Sequence, residues 1–174
     1  MCMPKYVALL RGISPTNPNM RNDGLCAVFE SLGCKNVISV LSSGNIIFET
    51  QRKAPGLEEK IEDALQRQLD ITSTTIIRST EQLQQLVNKK PFGSLEHSPT
   101  SYLTVTFLKS QPSTKLRLPD TYPAVAVYGR EVCSVIDTTA TRGLSPISWL
   151  EKTCGPQITT RTWKTVERIL GKMG

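Results

Sequence analysis

Histidine is nearly missing from this chain of 174 residues: His97 stands alone. A single imidazole excludes multi-histidine zinc, copper or iron centres and leaves one histidine available as a general base. The five cysteines, Cys2, Cys26, Cys34, Cys133 and Cys154, contain no C-x-x-C pair. An odd number without that spacing fits neither a disulfide framework nor a zinc ribbon. Phosphate-loop, dinucleotide-binding, zinc-protease and nucleophile-elbow signatures are all absent. No apolar run approaches the roughly 18 residues of a membrane-spanning helix. The opening Met-Cys-Met-Pro-Lys-Tyr-Val-Ala-Leu-Leu-Arg has too short an apolar core for a signal peptide. A cytoplasmic protein is therefore expected, with no metal site, no cofactor and no membrane partner.

What remains is ordinary globular composition, with 39% apolar and 21% charged residues and a formal net charge of +6. A chain of this length supports one sizeable core or two small ones. The positive charge is uneven. Residues 151–174 hold Lys152, Arg161, Lys164, Arg168 and Lys172 against Glu151 and Glu167. Such an excess permits polyanion binding without demanding it, and a solvated helix face is the plainer account.

Residues 5–10 read as a buried strand. Residues 14–19, with two prolines, are a loop. Leu25, Val28, Phe29 and Leu32 fall on one helix face, which Gly33 ends. Residues 36–42 and 45–49 read as strands around Ser43-Gly44. Leu57, Ile61, Leu65 and Leu69 mark a second helix, and residues 74–78 another strand. Ser79 and Gln82 have capping-box spacing for a third helix through Leu83, Leu86 and Val87. Pro91-Phe92-Gly93 stops it.

Residues 102–108 alternate as a strand, and 112–120 form a connector with at most one helical turn. Residues 124–128 and 131–137 make a hairpin through Gly129-Arg130, where glycine suits a type II′ turn. Ser145 caps a helix with Pro146 at its first position, and Leu144 and Trp149 stand at hydrophobic-staple spacing. Gly155-Pro156 closes it. Thr159 or Thr160 is read as the cap of a last helix carrying Trp163, Val166 and Leu170. The expected fold class is α+β, with two ferredoxin-like βαββαβ-type subdomains of antiparallel sheet and helices on one face. The expected division is an N-terminal half 1–79, a helix and linker 80–100, and a C-terminal half 101–174 with an extra helix.

Four segments in order carry a resemblance: Tyr6–Ile13, Met20–Leu25 with Phe29–Gly33, Val40–Phe48, and Thr160–Val166. Together they resemble the bacterial domain-of-unknown-function family 1697, whose patterns run like Y-V-A-L-L-R-G-I-N, S-G-N-V-V-F and T-x-R-N-W-x-T-V. The resemblance implies the same two ferredoxin-like subdomains and no assigned activity. Two departures stand out. The family's glycine- and lysine-bearing loop is replaced by Ser14-Pro-Thr-Asn-Pro-Asn19, and its R-N-W asparagine is Thr162 here.

Candidate binding residues follow from local chemistry. Arg11 ends the first strand, where loops meet ligands, and a guanidinium can hold a phosphate or carboxylate; a structural ion pair is the alternative. Ser43-Gly44-Asn45 is either an anion-facing turn or turn chemistry alone. Arg161 and Lys164 stand near a helix start between hydroxyls, a setting that suits an anion. The expected function is binding of a small anionic ligand, a nucleotide or phosphate ester, by Arg11, Ser43, Asn45, Arg161 and Lys164 between the halves. The other reading is a nucleic-acid or protein interaction module using the basic C-terminal helix. Aromatics at only 6% argue against an RNA-stacking platform. His97 is read as a surface residue, and Glu58, Glu59, Glu62 and Asp63 as a solvated face. No residue is singled out as catalytic, and enzymatic activity stays open.

Overall fold

The computed structural model describes residues 3–112, 115–120, 122–139 and 145–174. The staple position Leu144, Cys2 and connector residues 113–114 lie outside the described residues. The chain divides into two compact units, one of Met1–Leu83 with Arg168–Gly174 and one of Gln84–Glu167.

The first unit contains β1 (Lys5–Leu10), a 3-10 turn (Pro18–Met20), α1 (Asn22–Ser31), β2 (Lys35–Ser39), β3 (Asn45–Glu49), α2 (Leu57–Leu69) and β4 (Thr75–Ser79). Its sheet has the order β2-β3-β1-β4, with every neighbouring pair antiparallel. That is the ferredoxin-like arrangement. The central strands are apolar on both faces, with Val7, Leu9, Ile47 and Ile76 also buried, and the helices cover one of them. Ala8, Leu10, Ile46, Phe48 and Ile77 meet Leu25, Val28 and Phe29 of α1 and Leu57, Ile61 and Leu65 of α2. Phe29 and Phe48 pack with ring centroids 5.2 Å apart, and each fully buried ring contributes about 1.5–3 kcal/mol. Gly33 follows α1 at φ +82°, the left-handed conformation that ends a helix most cheaply at glycine.

The acidic residues of α2 divide, contrary to the expected solvated face. Glu59 and Asp63 are exposed. Glu58 and Glu62, one turn apart, reach the outer edge of β4. The Glu62 carboxylate accepts from the Thr75 N–H at 2.6 Å, and Glu58 accepts from the Ile77 N–H at 2.8 Å. A strand edge that would otherwise offer bare amides is thereby occupied.

The second unit contains β5 (Ser101–Leu108), β6 (Ala124–Tyr128), β7 (Glu131–Asp137), α4 (Pro146–Cys154) and β8 (Ile158–Thr162). Its sheet order is β6-β7-β5-β8, again fully antiparallel. Helices α3 (Thr80–Asn88) and α5 (Trp163–Met173) follow β4 and β8. Strand β8 corrects the sequence reading, which ran 158–162 into a helix cap. Its Ile-Thr-Thr-Arg-Thr pattern lacks apolar alternation, so periodicity does not reveal it. The cap moves to Thr162, whose hydroxyl accepts from the Thr165 N–H at 3.4 Å.

The two units share one register. Leu10 N–H donates to Gly44 O, and Leu108 N–H donates to Arg130 O; each acceptor immediately precedes the third strand of its unit. Arg11 N–H donates to Thr74 O, and Lys109 N–H donates to Gln157 O, just before the fourth strand. Val7 pairs with Arg78, and Val105 with Arg161. The starts of α3, after β4, and α5, after β8, are both capped by a hydroxyl, Ser79 and Thr162. Ser79 and Gln82 form the expected reciprocal capping box, at 2.8 and 3.2 Å. Ser145 accepts from Ser148 N–H at the start of α4. Gly129 turns the β6–β7 hairpin at φ +60° while Arg130 keeps negative φ, as a type II′ turn requires.

Candidate anion-binding sites

Of the five expected binding residues, Arg11, Ser43 and Asn45 belong to the first unit, and Arg161 and Lys164 to the second. Arg11 follows β1 directly. Its backbone is clamped on both sides, through the bond to Thr74 and through Ser73 Oγ donating to Arg11 O at 2.8 Å. Asn45 is fully buried, and its amide donates to Val40 O at 2.9 Å and to Ser43 Oγ at 3.0 Å. Those bonds hold the β2–β3 turn together, and Ser43 itself is exposed.

The loop at 14–19 is also bonded to itself. Ser14 N–H points at Met20 Sδ, Asn17 N–H at Ser14 O, Asn19 N–H at Asn17 Oδ1, and Met20 N–H at Asn17 O. Amides engaged in this way do not cradle an anion.

Arg161 is nine-tenths buried on β8. Its Nη1 donates to Thr159 Oγ1 at 2.8 Å and to Thr160 O at 3.0 Å. Burial pulls its pKa down to about 10, which still leaves a cation at neutral pH. Arg78 holds the matching position on β4, more deeply buried still, and donates to Ile77 O. Lys164 is exposed near the start of α5. It begins a stripe, since Lys164, Arg168 and Lys172 are all exposed and stand four residues apart, along one helix face.

His97 is half-buried and structural. Its Nδ1 accepts from the Leu103 N–H at 3.2 Å, and its ring stacks on Tyr102 with centroids 4.9 Å apart. The described thiols favour the protonated form. Burial raises Cys26, Cys34 and Cys154 above the usual thiol range, and burial with Glu131 nearby raises Cys133 to about 12.

The structure adds cations that the sequence reading did not single out. A cavity of about 250 Å³ opens at the start of α2, lined by Arg52, Lys53 and Lys60 with Pro55, Gly56 and Leu57. Among the described residues no acidic side chain lines it. Gly56 stands before the helix at φ +77°, and no side chain caps this end. Three cations and the positive end of the helix dipole therefore act on one space. The signal was faint because Arg52 and Lys53 lie in a loop and Lys60 lies two turns of sequence away.

Two sheets in the ferredoxin-like order, each with helices on one face and with cations gathered at loop and helix ends, define an α+β protein of paired ferredoxin-like units. Residues 3–131 match the family described as protein of unknown function (DUF1697), and the chain belongs to that family. A solved structure described as the conserved bacterial protein SP0830 from Streptococcus pneumoniae is similar in fold. It covers 98% of both chains with a TM-score of 0.68 at 19% sequence identity. No curated protein matches the chain. Among the described residues, no helix is long and apolar enough to cross a membrane.

Proposed function

We propose that the protein binds a small anionic ligand, a nucleotide or a phosphate ester. The observation that carries this reading is the cavity at the start of α2, where Arg52, Lys53 and Lys60 converge without an acid. Guanidinium and ammonium groups donate short, charge-assisted hydrogen bonds to phosphate oxygens. Arg11 with Ser43 and Asn45 in the first unit, and Arg161 with Lys164 in the second, are the competing assignments for the same ligand class. Calorimetric titration with inorganic phosphate, AMP and glucose 6-phosphate tests both. Replacing Arg52, Lys53 and Lys60 together by serine is expected to weaken binding about tenfold or more, with the melting temperature kept. Loss of binding in Arg11→Ala instead moves the site to the end of β1. No binding of any of the three probes overturns the reading.

The stripe of Lys164, Arg168 and Lys172 supports a second reading, a polyanion-binding helix. Residues four apart rise about 6 Å along a helix, close to the spacing of successive phosphates. Three phosphate contacts to a single strand predict a log–log salt slope of about −2. A slope near zero with a short RNA rejects it.

A further inference from the structure

The two units differ in one respect that leaves space. In the first unit, the crossover from β1 to β2 carries α1. Its Leu25, Val28 and Phe29 cover the sheet beside α2, and a Cβ added at Gly24 would lie 3.6 Å from Leu69 Cδ2 in the last turn of α2. In the second unit, the crossover from β5 to β6 contains no helix among its described residues. It sets only Leu116, Leu118 and Tyr122 against the core under α4. A cavity of about 330 Å³ stands beside the last turn of α4, the place matched in the first unit by the start of α1.

The lining is specific in its chemistry. Leu108 and Leu116 give it apolar walls, while Ser110, Gln111 and Gln157 bring one hydroxyl and two amides. Among the described residues no charged side chain lines it. Each glutamine amide offers both a donor and an acceptor. Gln111 lies over the Gly129 turn, close enough that a side chain at 129 would come within 3.3 Å of its Oε1. The size falls at the small end of the roughly 300–1,000 Å³ typical of ligand pockets. Among the described residues an anion finds no cation here, and the two exposed glutamine amides stand beside the apolar walls.

We propose that this cavity binds a neutral nitrogen heterocycle of nucleobase size, its donor–acceptor edge met by Gln111 and Gln157 and its ring by the apolar wall of Leu108 and Leu116. The site lies wholly in the second unit, so the inference stands apart from the phosphate-binding reading.

Cys154 borders the cavity and reports on it. The full chain is alkylated with iodoacetamide in the presence of adenosine, guanosine or uridine, with ribose as control, and each thiol is followed by peptide mapping. At about ten times the dissociation constant, a bound nucleoside slows Cys154 alkylation about tenfold by mass action. Cys26, half-buried in the first unit, keeps its rate. Gln111→Met and Gln157→Met preserve side-chain length and are expected to abolish the protection without changing the melting temperature. Calorimetry on the same samples reads binding independently of the thiol. Absence of saturable binding for all three nucleosides overturns the proposal. So does equal protection by ribose, or full protection in both methionine variants.

Discussion

Replacing the carboxylates that cover the edge of β4 tests the account of the first unit most directly. Thr75 is fully buried and Ile77 nearly so, and their N–H groups donate to Glu62 and Glu58 at 2.6 and 2.8 Å. A hydrogen bond to a charged group contributes about 1.5–3 kcal/mol, and a neutral one about 1 kcal/mol. Glu62→Ala removes the acceptor and is expected to cost about 1.5–3 kcal/mol. Glu62→Gln keeps an oxygen in place and is expected to cost about half of that. The same ratio is expected at Glu58. The double alanine variant should lose about 3–5 kcal/mol, with some coupling because the two bonds share one strand. That is a large share of the roughly 5–15 kcal/mol that holds a domain folded. Urea unfolding followed by circular dichroism measures it, and the loss belongs to the transition of the first unit. Sedimentation velocity adds a second readout, because a bared edge recruits other strands and the double variant should self-associate. Alanine and glutamine variants both within about 0.5 kcal/mol of the parent would refute the edge-covering role.

Three further outcomes are expected. Gly44→Ala should destabilise by about 2–4 kcal/mol, because it adds a left-handed backbone cost to a steric one. Gly44 sits at φ +76° with its would-be Cβ 2.6 Å from Ile13 Cγ1, whereas Gly12, at φ +75°, faces open space and should cost only about 1–2 kcal/mol as alanine. Ser79→Ala should cost about 1 kcal/mol in a thermal melt by opening the α3 capping box. Stability should fall as pH rises above 9. The folded state holds Cys133 protonated up to about pH 12, while the unfolded thiol ionises from 9.0, so the unfolded state releases its proton first. Cys133→Ala should flatten the slope between pH 9 and 10. Above that window the lowered pKa of Arg161 acts in the opposite sense, and Tyr122, raised to about 12 by burial, acts in the same sense as Cys133.

The first unit was legible because its elements obey simple periods. Leu57, Ile61 and Leu65 repeat at helix spacing, and the strand at 45–49 is almost wholly apolar, so each element declares its type locally. Strand β8 was hidden for a physical reason. Ile158 joins the core under α4, while the opposite face of the strand buries Thr159 and Arg161, and polar side chains satisfied by neighbours leave no hydrophobic signature. Glu58 and Glu62 were misread for the converse reason, since their charge suggested water and their partners are backbone amides from a strand 13 and 19 residues away. The cavities were invisible in the sequence. Leu108, Gln111, Leu116 and Gln157 meet only through the sheet register and the path of a connector, and neither can be computed from spacing.

The seven residues that return to the first unit have a consequence for how the chain is made. Arg168–Gly174 belong with residues 1–83. Ile169 and Met173 are buried, and Lys5 Nζ donates to the Met173 carbonyl across 168 positions of sequence. During vectorial synthesis at about 5–20 residues per second, the N-terminal sheet emerges first yet waits for the segment at 168–174. The unit that begins first is thus completed last, by the same helix that ends the second unit.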